Sequence, residues 1–281
     1  MKRIRYNSLA LAVIAICSVI AVGAGVAHAT PVINGAIMYP RVFNDCPVST
    51  LNPGPVAYPA LIHIDEHDLI CAGGANLHVW DLSSDGGASS AIFNNKDAFT
   101  ISATVTLHRA PSTVAEEVGL RVCPWWDHNA NGFFNMRLPD GEIACFGGVL
   151  PFFSFTGTFG VLAQSDVPAR QTIIYNPHCN TKDDPATIEY ILDLPQGHFD
   201  SGPLPFTNCT AGEEAHGCYG IMDDARVGGR LQNDMFPPFA GDPAANNGVD
   251  YNDIVYTINQ PSDCPVPTNN STWGNIKAQY R

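Results

Sequence analysis

An all-β, antiparallel two-sheet sandwich closed by disulfides is the fold predicted for this chain of 281 residues. Three observations predict it. Short segments alternate apolar and polar residues with period two, as strands do when one face meets a core and the other meets solvent. No intervening helical pattern of about 10–15 residues, which a parallel βαβ unit needs, breaks the series. The cysteines that follow an apparent leader are even in number, as in exported domains cross-linked by disulfides.

The leader is read from residues 1–29. Lys2, Arg3 and Arg5 form a positive n-region, Leu9 to Val26 an apolar run, and Ala27-His28-Ala29 an A-x-A cleavage site. A retained anchor is the rival reading, because the run is near bilayer-spanning length. Ala and Gly crowd its end and a cleavage site follows, so the expectation is a secreted or surface protein with no membrane span after cleavage. Cys17 is a poor lipoprotein cysteine, since Ile16 precedes it where a small residue is wanted.

Removing 29 of 281 residues leaves 252, a length that buries about 70–75% of the unfolded surface. Residues 30–260 are expected to form the sandwich, and residues 261–281 a Pro-rich connector and tail. The leader carries three of the 14 basic residues and none of the 27 acidic ones, so the mature balance is 11 minus 27, or −16. That sign disfavours nucleic acid as a partner, because phosphate contacts need clustered Lys and Arg. Cys46, Cys71, Cys123, Cys145, Cys179, Cys209, Cys218 and Cys264 remain. The sequence-local pairs Cys123–Cys145 and Cys209–Cys218 are the expected disulfides, each contributing about 2–4 kcal/mol. A Cys metal site lacks C-x-x-C spacing.

From Thr30 to about Ala60 the chain is rich in Pro and Gly, which predicts a strand around Ala36 to Tyr39 and then a surface loop. His63-Ile64-Asp65-Glu66-His67 is a formal H-x-x-E-H, which on a helix would set two imidazoles for zinc with Glu66 as base. Pro59 before it and Gly73-Gly74 after it leave no long amphipathic helix, so a polar strand end or loop is expected. Asn76 to Asp81 is β-prone and Asp85-Gly86-Gly87 signals a turn. Phe99 to His108 is the cleanest alternation: Phe99, Ile101, Ala103, Val105 and Leu107 on one face, Thr and Ser with His108 on the other.

Val118 to Val122 predicts a strand that leads into a loop, and Phe133 to Leu138 and Glu142 to Phe146 a hairpin turned by Pro139-Asp140-Gly141. Strands are also expected over Leu150 to Phe155, Gln171 to Tyr175, Thr187 to Leu192, Ala225 to Leu231 and Asp253 to Ile258. In the tail, Thr272 to Arg281 places Trp273, Ile276 and Tyr280 on one helical face. This short helix either docks or serves as an anchoring segment.

Candidate chemistry gathers between Glu117 and Phe155. Asp127, Asn129 and Asn131 before Gly132 repeat the oxygen-ligand spacing of a calcium loop. Position 138 is Leu where the bidentate Glu is wanted, so Asp140 or Glu142 would have to fold back to complete a structural Ca2+ site. A plain Asn/Gly turn is the alternative. Asp242, Asn246, Asp250 and Asp253 form a second, weaker set. Trp125 and Trp126, with Asp127 and Phe133, suit a glycan, whose rings stack on indoles while Asp and Asn accept hydroxyl hydrogen bonds. Alternatively the indoles cap the core, with Trp126 outward only if Val122 points inward and alternation continues through Pro124. Carboxylates for hydrolysis could come from Glu117, Asp140 and Glu142. No G-x-S-x-G elbow and no phosphate-binding Gly loop is present.

The succession NLHVWDLSSDGG, DAFTISATVTLHR, EVGLRV, ATIEYILDL, then MDDARVGG before DIVYTI resembles a concanavalin-like (laminin-G-like) jelly roll, similar to the lectin-like domains of secreted bacterial proteins. The resemblance spans Asn76 to Ile258 and rests on pattern. It implies either glycan binding or a polysaccharide hydrolase or lyase. The E-x-D-x-E strand of the family's laminarinase-type hydrolases is absent, so that activity is not implied. The reading is therefore a lectin-like module for a glycan or other surface polymer, with an enzyme on the same fold or a structural envelope protein as alternatives.

Overall fold

The computed structural model describes residues 29–126, 131–207, 209–261 and 264. The strands of the first half are β1 (Gly35–Asn44), β2 (Thr50–Ala57), β3 (Leu61–Leu69), β4 (Ala75–Ser83), β5 (Phe99–Arg109), β6 (Ala115–Cys123), β7 (Phe133–Leu138) and β8 (Ile143–Phe146). After β9 (Phe153–Ser154) and helix α1 (Phe155–Phe159) come β10 (Ala169–Asn176), β11 (Thr187–Leu194), β12 (Gly197–Asp200), β13 (Leu204–Pro205), β14 (Arg226–Asp234) and β15 (Asp242–Ile258). They build two antiparallel sheets, ordered β1-β4-β14-β6-β7-β8-β9 and β12-β11-β10-β5-β15-β3-β2, with β13 on β11. The chain crosses between the sheets after β1, β3, β4, β5 and β9 and on both sides of β14. This is the predicted antiparallel sandwich, with the crossover pattern of a jelly roll.

Strand β5 shows why the alternation works. Phe99, Ile101, Ala103, Val105 and Leu107 are buried between the sheets, while Thr100, Thr104, Thr106 and His108 are partly open on the other face. Two elements depart from expectation. Thr50–Ala57, expected as loop, is strand β2, which tolerates Pro53 and Pro55 because it lies at a sheet edge where missing N–H donors cost little. Leu150 to Phe155 is strand only at Phe153–Ser154. There Ser154 Oγ accepts from the Gly157 amide at 2.8 Å, and Gly160 at φ 69° closes one helical turn.

Three disulfides form among the described residues: Cys46–Cys71, Cys179–Cys264 and the expected Cys209–Cys218. The expected Cys123–Cys145 bond is not made. Strand β7 lies between the two strands that carry them, and period two sends the thiols to opposite faces. Cys145, paired with Phe134, joins the core, whereas Cys123 faces outward beside Arg121.

Trp80 fills the middle of the core, edge-on to Tyr251 with ring centroids 5.2 Å apart. The Tyr251 hydroxyl crosses from the other sheet and accepts from the amides of Gly119 and Arg230, 3.0 Å each. Between Val118↔Met136 and Arg121↔Phe133 the β6–β7 ladder has no direct pairing. Gln171 bridges this gap, accepting from Leu120 N at 2.8 Å and donating to Phe134 O at 3.0 Å. The Tyr251 hydroxyl and the Gln171 amide thereby supply partners to buried backbone groups of the facing sheet.

Glu66 anchors one end of the interior. Its buried carboxylate accepts from Ser49 Oγ (2.5 Å), Asn76 Nδ2 (2.7 Å), Asn233 Nδ2 (2.9 Å) and His78 Nε2 (3.0 Å), with Arg41 Nη1 at 3.3 Å. Burial pushes this carboxyl up, but the His78, Ser49 and Asn233 donors outweigh it and hold Glu66 below its usual value.

Candidate functional site

The face of the seven-stranded sheet that points away from the core carries charged, amide and aromatic side chains. In β14, Val227 and Leu231 point inward, leaving Gly228, Arg230 and Gln232 on this outer face. Gly228 pairs with Asp81 on β4 and with Arg121 on β6, so the three lie in one row across the sheet. With no side chain between them, the Arg121 guanidinium spans Gly228 and donates to the Asp81 carboxylate. Arg121 also donates to Cys123 Sγ at 3.0 Å.

One step along, Arg230 pairs with Gly119. Its guanidinium lies 3.4 Å from the Phe133 ring centroid and donates to Glu117 Oε2 (2.5 Å), Gln232 Oε1 (3.0 Å) and Asn135 Oδ1 (3.2 Å). Arg230 is only 1% exposed. Burial pulls its guanidinium below the ordinary Arg value, and the Glu117 charge opposes that pull. These two arginines are placed by glycines on the neighbouring strand, a relation invisible in either strand read alone.

The three carboxylates proposed for hydrolysis are brought together, but around a cation. Arg137 reaches Asp140 at 2.6 Å, Glu142 at 2.7 Å and Glu117 at 3.8 Å. Burial pushes the Asp140 carboxyl up, while the Arg137 guanidinium and the Glu142 amide outweigh it and hold it below its usual value. A lowered Asp140 is the opposite of the raised general acid that glycoside hydrolysis uses.

Beyond Cys123 the chain turns through Trp125 and Trp126. Trp125 stacks on His216 with centroids 3.6 Å apart and planes at 18°. Trp126 stands edge-on to Trp125 at 5.7 Å and is 41% exposed. Val122 points inward and Pro124 is buried, but period two would carry Trp126 inward as well; β6 ends at Cys123, and Trp126 is exposed because the chain turns at Trp125–Trp126. Phe133, expected as a ligand contact, is buried beneath Arg230 and edge-on to Phe146 at 5.5 Å. It supports a guanidinium and offers no free face. Asp127 lies outside the described residues.

Of the calcium candidates, Asn131 and Asp140 are among the described residues. Asp127 and Asn129 lie outside the described residues, and Asn131 and Asp140 sit beyond opposite ends of the extended strand β7. At about 3.3 Å per residue that strand holds Asp140 too far away to complete a site at Asn131, and Asp140 is engaged by Arg137. Asp242, Asn246, Asp250 and Asp253 are likewise spread along β15 instead of curling into a loop. No group of three or more His, Cys, Asp or Glu among the described residues is arranged to hold a metal.

The outer face of the eight-stranded sheet holds a second cluster. The H-x-x-E-H string is strand β3, so period two divides it, with Glu66 inward and His63, Asp65 and His67 outward. His63 Nδ1 lies 2.6 Å from Asp250, which is 3.0 Å from His108 Nε2, and His108 Nδ1 is 2.7 Å from Asp166. Burial lowers the His108 imidazole, but Asp166 and Asp250 outweigh it and raise it above its usual value. A raised imidazole contributes stability that is full below about pH 6.5 and fades as pH rises through the folded value. Asp166→Asn should therefore lower Tm near pH 6 and cost progressively less toward pH 9. An equal loss at both ends of that range would show that the link is not ionic.

No family model matches the chain, and no curated protein sequence does either. Among solved structures it is similar to an alginate lyase, AlgAT5 from Polysaccharide Lyase family 7, at 9% identity over 72% of this chain and 79% of that one, TM-score 0.41. It is also similar to the alginate lyase vAL-1 from Chlorella virus, at 10% identity over 81% and 92%, TM-score 0.41. The Emp46p carbohydrate recognition domain in a potassium-bound form matches at 13% identity over 73% and 88%, TM-score 0.36. Likenesses at these scores assign no residue and no activity.

Proposed function

We propose that the protein is a secreted binding module for a glycan or another extracellular polymer, engaging it at the Trp125–Trp126 turn beside the outer face of the seven-stranded sheet. The observation that carries this reading is the exposed Trp126 indole, held by an edge-on Trp125 that is itself stacked on His216. An aromatic plane fixed before the ligand arrives loses little entropy on binding, and sugar rings present apolar faces to such planes. Three disulfides accord with an oxidising, extracellular setting.

The test is affinity electrophoresis of the mature chain through gels containing different polysaccharides, followed by staining for cleared zones. Retardation without clearing is expected from at least one polymer. Trp126→Ala should weaken that retardation by about 2 kcal/mol, roughly 30-fold in affinity, without lowering Tm. Free migration of the wild type in every gel would end this reading, and clearing would replace it with a hydrolase or lyase.

Calcium at Asp127, Asn129 and Asn131 is a further part of the proposal, resting on their spacing in the sequence. A metal at about 100 times its Kd stabilises by about 2.7 kcal/mol. An unchanged Tm on passing from saturating calcium to EDTA would remove the ion from the account.

A further inference from the structure

A cavity of about 740 Å3 opens between the Asn94–Asp97 turn and two disulfide-closed loops, lined among others by Lys96, Asp97, Asn180, Gly217 and Asp223. A smaller one of about 250 Å3 shares Lys96, Cys179, Asn180 and Pro261 with it. Cys179–Cys264 and Cys209–Cys218 tie down the loops on either side. We propose that this cavity is a second binding site, one that takes a neutral polyhydroxylated ligand such as the end residue of a sugar chain.

The walls are fixed in advance. Asn95 donates through its amide to Asp223 (2.9 Å) and through Nδ2 to the Cys218 carbonyl (2.9 Å). Its Oδ1 accepts from Met222 N (3.0 Å) and Tyr175 Oη (3.1 Å), and its carbonyl accepts from Asn180 Nδ2 (2.7 Å). Every polar atom of this residue is thus spent on holding the two loops to the sheet. Five of the nine non-glycine residues with positive φ among those described lie in these loops: His178, Asn180, Tyr219, Met222 and Asp224. Left-handed backbone at residues as bulky as Tyr and Met is costly, and such positions gather where a loop is shaped for a ligand.

The chemistry of the lining selects the ligand. Asn180 Oδ1 is buried and accepts no hydrogen bond, though its Nδ2 is engaged. The carboxylates of Asp97 and Asp223, which accept from the amides of Asn94 and Asn95, also line the cavity, as does the exposed Lys96 ammonium, a donor with no ion pair among the described residues. Two carboxylates disfavour an anion, and a wall of amides and charges disfavours an apolar molecule. Hydroxyls on adjacent carbons donate and accept together, which is what acceptors facing a lone ammonium require. The volume is in the range of small-ligand sites.

The evidence for this site lies in the cavity and is independent of the Trp126 proposal, although one loop serves both. His216 backs Trp125, its carbonyl accepts from Asp223 N at 2.7 Å, and Gly217 and Cys218 line the cavity.

The experiment is a 15N-edited NMR titration of the mature chain with the methyl glycosides of glucose, galactose, mannose and N-acetylglucosamine. Binding by at least one should shift the amides of Lys96, Asn180 and Gly217. Lys96→Met, a change at an exposed side chain that should leave the fold intact, should weaken that binding about tenfold, while Trp126→Ala should leave it unchanged. Absence of shifts at those amides with every glycoside, or equal affinity in Lys96→Met, would overturn the proposal. Loss of binding in Trp126→Ala would do so as well, by placing the ligand on the aromatic turn.

Discussion

Gly228→Val should prevent the protein from reaching a stable fold, with a loss of at least about 4 kcal/mol, in the range reserved for specific structural failures. A Cβ at this position would stand 1.9 Å from the Trp80 carbonyl oxygen and 2.8 Å from Asp81 Cα, both backbone atoms that cannot rotate away. The next residue is equally constrained, since a Cβ on Gly229 would meet Trp80 Nε1 at 2.5 Å. The Gly-Gly pair therefore makes room on both faces of a central strand, for the Arg121–Asp81 link outside and for the Trp80 indole inside. Because total stability is only about 5–15 kcal/mol, the variant should show either a sharply lower urea midpoint or no cooperative transition. A midpoint matching the wild type at the same m-value would show that β14 and β4 can part at no cost.

Glu66→Gln should cost about 3–5 kcal/mol, the magnitude found when one member of a buried ionic network is removed. The substitution keeps shape and volume, so the loss isolates charge and acceptor count. An amide NH2 would face donors from Ser49, Asn76, Asn233 and His78 that now converge on two carboxylate oxygens. Acid should mimic the substitution. A carboxyl whose folded value is depressed contributes stability that is present above its unfolded value, about 4.3, and is lost as pH falls through the folded value. Wild type and variant should therefore differ widely in Tm at pH 7 and converge below about pH 4. A constant difference across that range would mean that shape, not ionisation, explains the effect.

Both positions mark a limit of reading strands one at a time. The segment Ala225 to Leu231 is legible as a strand, yet nothing in it says why two glycines occupy its centre. The answer lies on β4 and β6, whose Asp81 and Arg121 flank Gly228 in the register. Likewise His63, Asp65 and His67 are recognisable as one face of β3 once it is a strand. Their partners Asp250 and His108 come from β15 and β5, each remote in sequence. The Cys123–Cys145 expectation failed for the same reason, because nearness in the chain said nothing about which face each thiol occupied.

The candidate site divides in the same way. Trp126 was legible as a candidate aromatic, although β6 ends at Cys123 and the turn after it, not strand alternation, exposes the indole. Phe133 was not, since its role as a floor for Arg230 depends on β14 lying beside β6. Asp140 could not be read as the partner of Arg137 until the hairpin had a defined geometry.

Alternation within single segments was sufficient for the all-β class, the inward and outward faces of β5, and the β7–β8 hairpin. These follow from local sterics and the burial of one face, which each strand carries in its own residues. The neighbours of each strand, the arginines laid across glycines, two of the three disulfides and the cavity beside Asn95 depend on contacts between segments far apart in the chain. Local preference contains no term for such contacts, so they were fixed when the two sheets paired and packed.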